Sequence, residues 1–187
     1  MSRVIESLRE EHRNLARLLD ALDHQVEVFA EAVRPDYDVI CGVAEYFLDY
    51  PDRFHHPKEN AVLEVLRRVH PDRAAGLVDL VGEHRALHDD AARFRDVVGA
   101  LLNDTDIARS TIVGAAGRFI DDQRHHMRME EDVFFPVAER ILSPEHWSEI
   151  ELRISDARDP LFGDADEVRF ARLRERLLSW EREFRTA

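Results

Sequence analysis

One cysteine, Cys41, stands in the 187 residues, which excludes an intrachain disulfide, a thiolate metal cluster and a CxxC redox pair. Glycine and proline number seven each, and alternating β-branched runs are almost absent, so helices joined by short turns are expected rather than strands. No stretch reaches the roughly 20 apolar residues that a membrane span needs. The opening MSRVIESLREEH lacks the apolar core of a secretion signal, and a cytoplasmic protein is the expectation. Positive charge is also in short supply. Twenty-six Lys and Arg against 39 Asp and Glu give a formal net charge of -13, which disfavours nucleic acid and anionic membranes as partners. There is no Gly-rich phosphate loop or obvious nucleophile to support a conventional hydrolase or transferase. What remains for chemistry is carboxylates and ten histidines.

The histidines fall on helical patterns. An alternation of three and four through Ile5, Leu8, His12, Leu15, Leu19, Leu22, Val26, Phe29 and Val33 predicts an amphipathic helix over about residues 2–33. A second helix, about 36–69, aligns Ile40, Ala44, Leu48, His55, Glu59, Val62 and Leu66, with a kink or short break expected at Pro51 and Pro57. A third, after His70-Pro71-Asp72 and reaching about 102, carries Leu77, Val81, His84, His88, Ala91, Phe94, Val98 and Leu101. Asp104 or Thr105 is placed to cap a fourth, with Ile112, Ala116, Phe119, Gln123, His126, Glu130, Val133, Val137 and Ile141. Four long helices with short turns predict an all-α fold, an antiparallel up-and-down four-helix bundle over 1–142. Residues 143–187 read as additional C-terminal helices packing on the bundle. Ser143-Pro144-Glu145 opens a short one with Trp147 and Ile150, 159–163 is a loop, and about 166–184 carries Val168, Phe170, Leu173, Leu177 and Trp180. Covering the bundle and joining a homodimer through Trp147 and Trp180 are the two roles open to this extension.

On a helix, residues four apart differ by about 40° in direction, so two side chains one turn apart reach one ion or two adjacent ones. His55 with Glu59, His84 with His88, and His126 with Glu130 have this spacing, and His12 joins them from the first helix. Imidazole nitrogen with carboxylate oxygen suits iron, manganese or zinc, and glutamate can bridge two ions. His56, His125 and Glu131 compete with their neighbours. Five-residue separations differ by about 140°, which favours His126 with Glu130, and the same logic favours His55 over His56. Aligning Glu59 with Glu130 places His55 on His126, Val62 on Val133 and Leu63 on Phe134, an internal echo that suits two similar metals. Two six-coordinate ions offer about twelve positions. Five imidazoles, two bridging carboxylates and an oxo or hydroxo bridge leave one open to O2, NO, peroxide or azide. The plainer readings are a core histidine at His12, an exposed face at His84 and His88, and surface ion pairs in the two His-x-x-x-Glu cassettes; four aligned helices weigh against them. His24, His70 and His146 read as surface or helix-end residues, Gln123 as a hydrogen-bonding neighbour of the centre, and acidic runs such as Glu6 to Glu11 as solvated faces.

EEHRNL around His12, YPDRFHHPKE around His55 and Glu59, GEHRALH with His84 and His88, and RHHMRMEEDVFFP around His126 and Glu130 together resemble the hemerythrin-like, HHE cation-binding family. The resemblance covers about residues 1–142. It implies a non-haem centre of two iron ions, oxo- or hydroxo-bridged, held by His12, His55, Glu59, His84, His88, His126 and Glu130. Such a centre would take a small diatomic ligand or peroxide in a sensing, storage or stress-response role; a di-iron oxidoreductase turning over peroxide or NO is the alternative. Oxygen-carrying hemerythrins space His and Asp five apart on the fourth helix, whereas His and Glu stand four apart here, which argues against reversible O2 carriage.

Overall fold

The computed structural model describes residues 2–75, 77, 79–103, 107–154, 159, 161–162 and 170–184, and every regular element among them is helical. Helix α1 (Arg3–Ala30) starts on Ser2, whose hydroxyl accepts from the Val4 N–H, and buries Ile5, Leu8, His12, Leu15, Leu19, Leu22 and Val26. It stops short of the expected Val33: Ala32 takes a left-handed φ of 64°, and Val33 is exposed. Helix α2 (Tyr37–Tyr50) begins on Asp36, whose carboxylate accepts from the Asp38 N–H.

The expected break takes a definite form. One turn of π-helix, Pro51–His55, joins α2 to α3 (His56–Val69), with the His56 N–H bonded to the Pro51 carbonyl. A second π-turn, Glu130–Phe134, joins α6 (Arg109–Met129) to α7 (Phe135–Ile141). Both have the same cause. Pro57 and Pro136 lack an N–H, and their rings would collide with the carbonyls of Arg53 and Asp132 in a regular helix; widening the turn relieves this. Each π-turn also adds a residue, which rotates the inward face. Beyond Glu130 the buried positions are therefore Phe134, Phe135 and Ala138, while Val133, expected on the buried stripe, is 43% exposed.

A short α4 (Pro71–Ala74) precedes α5 (Leu80–Leu102), whose inward residues are Leu80, His84, Leu87, Ala91, Phe94 and Val98. Helix α6 follows Ala108, which provides no side-chain cap; the expected capping residues Asp104 and Thr105 lie outside the described residues. Helix α1 packs on α2 and α6, and α5 packs on the same two, closing a circuit around one interior. That interior holds two apolar clusters. One gathers Leu15 to Val26, most of α2, and the facing parts of α5 and α6; the other gathers Val4, Ile5, Leu8, Val62 to Leu66, Phe134, Phe135 and Ala138. Each fully buried side chain in them contributes about 1.5–3 kcal/mol. The histidines and glutamates form the layer between.

The C-terminal segment lies against both clusters. Helix α8 (Pro144–Arg153), closed by a capping box between Ser143 and His146, packs Ile150 on the cluster beside α3. Helix α9 (Ala171–Phe184) lies along α2 through Leu173 and Leu177. A Cβ on Gly42 would stand 3.0 Å from the Leu173 Cβ, so the missing side chain permits this close approach. Val168 lies outside the described residues. No helix among those described is long and apolar enough to cross a membrane.

Candidate metal centre

Six of the seven sequence-predicted ligands converge in the layer between the clusters, joined by His56. Two sets of ligand atoms each lie within 4.8 Å of one another: His12, His55, Glu59 and Glu130, and His56, Glu59, His84 and His126. Glu59 and Glu130 sit at the middle, both 0% exposed. Glu59 Oε1 lies 3.1 Å from His55 Nε2 and 3.6 Å from His12 Nε2, while its Oε2 lies 3.3 Å from His84 Nε2. Glu130 divides in the same way, with Oε2 3.3 Å from His12 and Oε1 3.3 Å from His126 and 3.7 Å from His84. Each carboxylate thus turns one oxygen to either side, as a bridging ligand does.

His56 enters because Glu59 can stand between two neighbours. His55, the last residue of the π-turn, and His56, the first of α3, lie about 40° and about 60° from Glu59 in direction by helical spacing, on opposite sides. One imidazole therefore serves each half of the site. The His56 ring stacks on His84 with centroids 3.9 Å apart. His88, expected as a ligand, is not brought to the centre. The apolar stripe of α5 passes from His84 through Leu87 to Ala91, which leaves His88 outside it, 45% exposed with Nδ1 2.5 Å from Asp52 Oδ2. His125 is exposed, and Gln123 is buried one turn before His126.

Four imidazoles are aimed by carboxylates behind them. His12 Nδ1 lies 3.0 Å from Glu131, His55 Nδ1 2.9 Å from Glu11, His56 Nδ1 2.9 Å from Asp52 and His126 Nδ1 3.0 Å from Glu83. A carboxylate accepting from Nδ1–H fixes the tautomer and frees Nε2 for a metal. Sequence reasoning missed this ring of acids. Glu11, read as part of a solvated run, is 7% exposed and also takes Lys58 Nζ at 2.5 Å. Its signal was the EEH sequence, in which Glu11 adjoins His12 on the inward side of α1. Asp52 stands one turn before His56, but Glu83 reaches His126 from a different helix, which no local pattern reveals.

The centre is built for a cation. Both oxygens of Glu59, both of Glu130, His126 Nε2 and both ring nitrogens of His84 are buried without a hydrogen-bond partner among the described residues. Buried polar atoms are costly unless partnered, and a metal ion between these oxygens and imidazole nitrogens would satisfy them together. Protonation echoes the same need. Burial disfavours imidazolium at His12, His55 and His84, yet the facing glutamates outweigh it, raising His12 well above its ordinary value and His55 and His84 to about 9. Burial prevails at His56, which is lowered to about 4 and stands ready as a neutral ligand. Burial opposes charge on Glu130 as well, and so does Glu59, but His12, His126 and His84 overcome them and hold it at about 2. Five imidazole nitrogens and four carboxylate oxygens fit first-row transition ions.

Two cavities reach this layer. One of about 450 Å³, between α1 and α6, touches His12 and is lined by Arg9, Arg13, Arg124 and Arg128 together with Glu131 and Asp132. The other, about 520 Å³, between α3 and α5, touches His56 and His84 and is lined by Asp52, Asn60, Arg85, His88 and Asp89.

The family model described as hemerythrin HHE cation binding domain matches residues 3–138, and again residues 75–182. The chain belongs to this family. No curated protein and no solved structure matches the chain. As a member of the HHE family the protein binds cations, and its clustered His and Glu side chains supply the donors.

Proposed function

We propose that this HHE domain holds two iron ions, oxo- or hydroxo-bridged, and takes a small oxidant, O2, NO or peroxide, in a sensing, storage or stress-response role. The observation that carries the reading is the division of Glu59 and Glu130, each with one oxygen toward His12 and the other toward His84. Two imidazoles, His12 and His55, serve one ion; His56, His84 and His126 serve the other. Bound iron would supply redox capacity and an open coordination position. The protein's part is to orient Nε2 through the backing carboxylates, to neutralise ionic charge with two glutamates and to exclude bulk water with Phe134, Phe135 and Phe119. The closed circuit of α1, α2, α5 and α6 with short connections supports an antiparallel up-and-down bundle.

Metal analysis of purified protein, followed by visible absorption on adding azide, tests this. Two irons per chain and a charge-transfer band are expected. An iron-loaded sample that stays colourless and unreactive toward O2, azide, NO and peroxide overturns the reading. Turnover of peroxide is the second reading, favoured by two oxidisable side chains, Tyr46 and Tyr50, buried and stacked in the adjoining cluster; sustained consumption beyond one equivalent per centre distinguishes it from binding.

A further inference from the structure

Behind His55, on the side away from the shared glutamates, runs a line of buried polar groups that ligation does not use. Glu11 accepts from His55 Nδ1 and Lys58 Nζ. The Tyr50 hydroxyl faces the carboxylates of Glu11 and Asp159. Its ring stacks on Tyr46, with centroids 5.0 Å apart and planes 19° from parallel. The Tyr46 hydroxyl donates to Asp159 Oδ2 at 2.8 Å. The two tyrosines are 0% and 1% exposed. Elsewhere the same cluster is filled by Phe47, Phe94 and Phe119, and a buried hydroxyl costs free energy unless it is bonded. Packing therefore does not explain phenols here. Anchoring the segment that carries Asp159 needs one phenol, not a stacked pair whose inner member faces the carboxylate that holds a ligand histidine.

We propose that Tyr50 and Tyr46 are redox groups that deliver electrons to the centre when it handles peroxide. This rests on the reading of the centre as peroxide-handling iron. In balance, one H2O2 and two phenols give two waters and two phenoxyl radicals. The O–O bond breaks, each phenol gives up one electron, the Tyr46 proton leaves through its hydrogen bond to Asp159, and both phenolic protons end on the two waters. Burial and the adjacent acids keep both phenols protonated far into the alkaline range. Electron loss then requires a proton acceptor in contact, and Asp159 is that acceptor for Tyr46. The stacked rings let an oxidising equivalent pass outward from Tyr50 to Tyr46.

The test is electron paramagnetic resonance on the iron-loaded full chain, mixed with hydrogen peroxide and freeze-quenched. A tyrosyl radical is expected, with a hyperfine pattern that narrows in protein grown on ring-deuterated tyrosine. It should persist in Tyr37→Phe, the remaining tyrosine, form more slowly in Asp159→Asn, and be lost in the Tyr46→Phe/Tyr50→Phe double variant at unchanged iron content. An iron-loaded wild type that yields no organic radical with peroxide, or a double variant with the same radical, overturns the proposal. The deuterated wild type carries no substitution, so a variant that misfolds leaves the assignment decidable. A chain that takes up no iron overturns the reading of the centre as well, and metal analysis of the same sample separates the two failures.

Discussion

On the His12 side two imidazoles face the shared glutamates, both are backed by carboxylates, and the cavity above them is lined by four arginines with Glu131 and Asp132. On the His84 side three imidazoles face the same glutamates, the His84 Nδ1 has no hydrogen-bond partner among the described residues, and the cavity is lined by Asp52, Asp89, Arg85 and His88. A site assembled from two similar cassettes is thus unequal in its donors and in its approaches. On the proposed reading, the side with fewer protein donors is the one that leaves room for an external ligand.

The widest effect is expected from Glu59→Ala, because both sides use it. On the proposed two-ion reading, metal content should fall from two ions per chain to none; retention of one would show that the sides are independent. The next contrast separates two neighbouring histidines. His56→Ala removes a donor from the His84 side and should weaken that ion by more than the roughly 10–100-fold typical of an outer residue, while the ion held by His12 and His55 stays. His88→Ala should leave both ions in place, since its ring points to Asp52 and solvent. Equal losses in the two variants, measured by metal titration, would break the assignment of His56 to the centre.

His56 and His88 also mark where the sequence stops being legible. The periodicity gave the helices and six converging ligands, because a seven-residue interval such as His84 to Ala91 reports an inward face. It does not report whether Leu87 or His88 fills the step between, and the structure uses Leu87. The π-turns are legible as a break at Pro51 and Pro57 but not at Pro136, so the unbroken periodicity of the fourth helix places Val133 inside, and the second turn rotates it out. Ligand spacing within a helix survives, since His126 and Glu130 precede the added residue. The backing acids were hidden for another reason: Glu11 to His55 and Glu83 to His126 are contacts between helices, fixed by packing rather than by spacing.

Those acids allow a finer comparison. Glu83→Gln removes a carboxylate whose hydrogen-bonding partner is His126, and about 10–100-fold weaker metal binding with little loss of stability is expected. Glu11→Gln should weaken metal binding similarly through His55, but it also strands Lys58, which is 8% exposed and bonded to Glu11. Breaking a buried pair from one side costs about 3–5 kcal/mol. Denaturant unfolding of the two variants, both metal-free, should therefore separate them clearly. Equal stabilities would mean that Lys58 finds water at little cost, and the double variant Glu11→Gln/Lys58→Met should recover much of any difference.

The smallest expected effect is a pH dependence that differs between loaded and metal-free protein. In the metal-free protein His55 and His84 hold protons to about 9, against about 6.5 in an unfolded chain. Their imidazolium–carboxylate contacts are fully present below about 6.5 and are lost as pH rises toward about 9, because the unfolded chain releases its protons first. His56 works in the opposite sense. Lowered to about 4, it refuses a proton that the unfolded chain accepts, so stability also falls as pH drops from about 6.5. A stability maximum near pH 6.5 follows for the metal-free chain, with the lowered carboxylates of Glu11, Glu59 and Glu130 steepening the acid side. Bound metal replaces those imidazolium protons, so its affinity rises with pH. Thermal unfolding at about pH 6.5 and about pH 9 should then show the gap between loaded and chelator-treated protein widening toward the alkaline end. Parallel curves would mean that protons and metal do not compete for the same nitrogens.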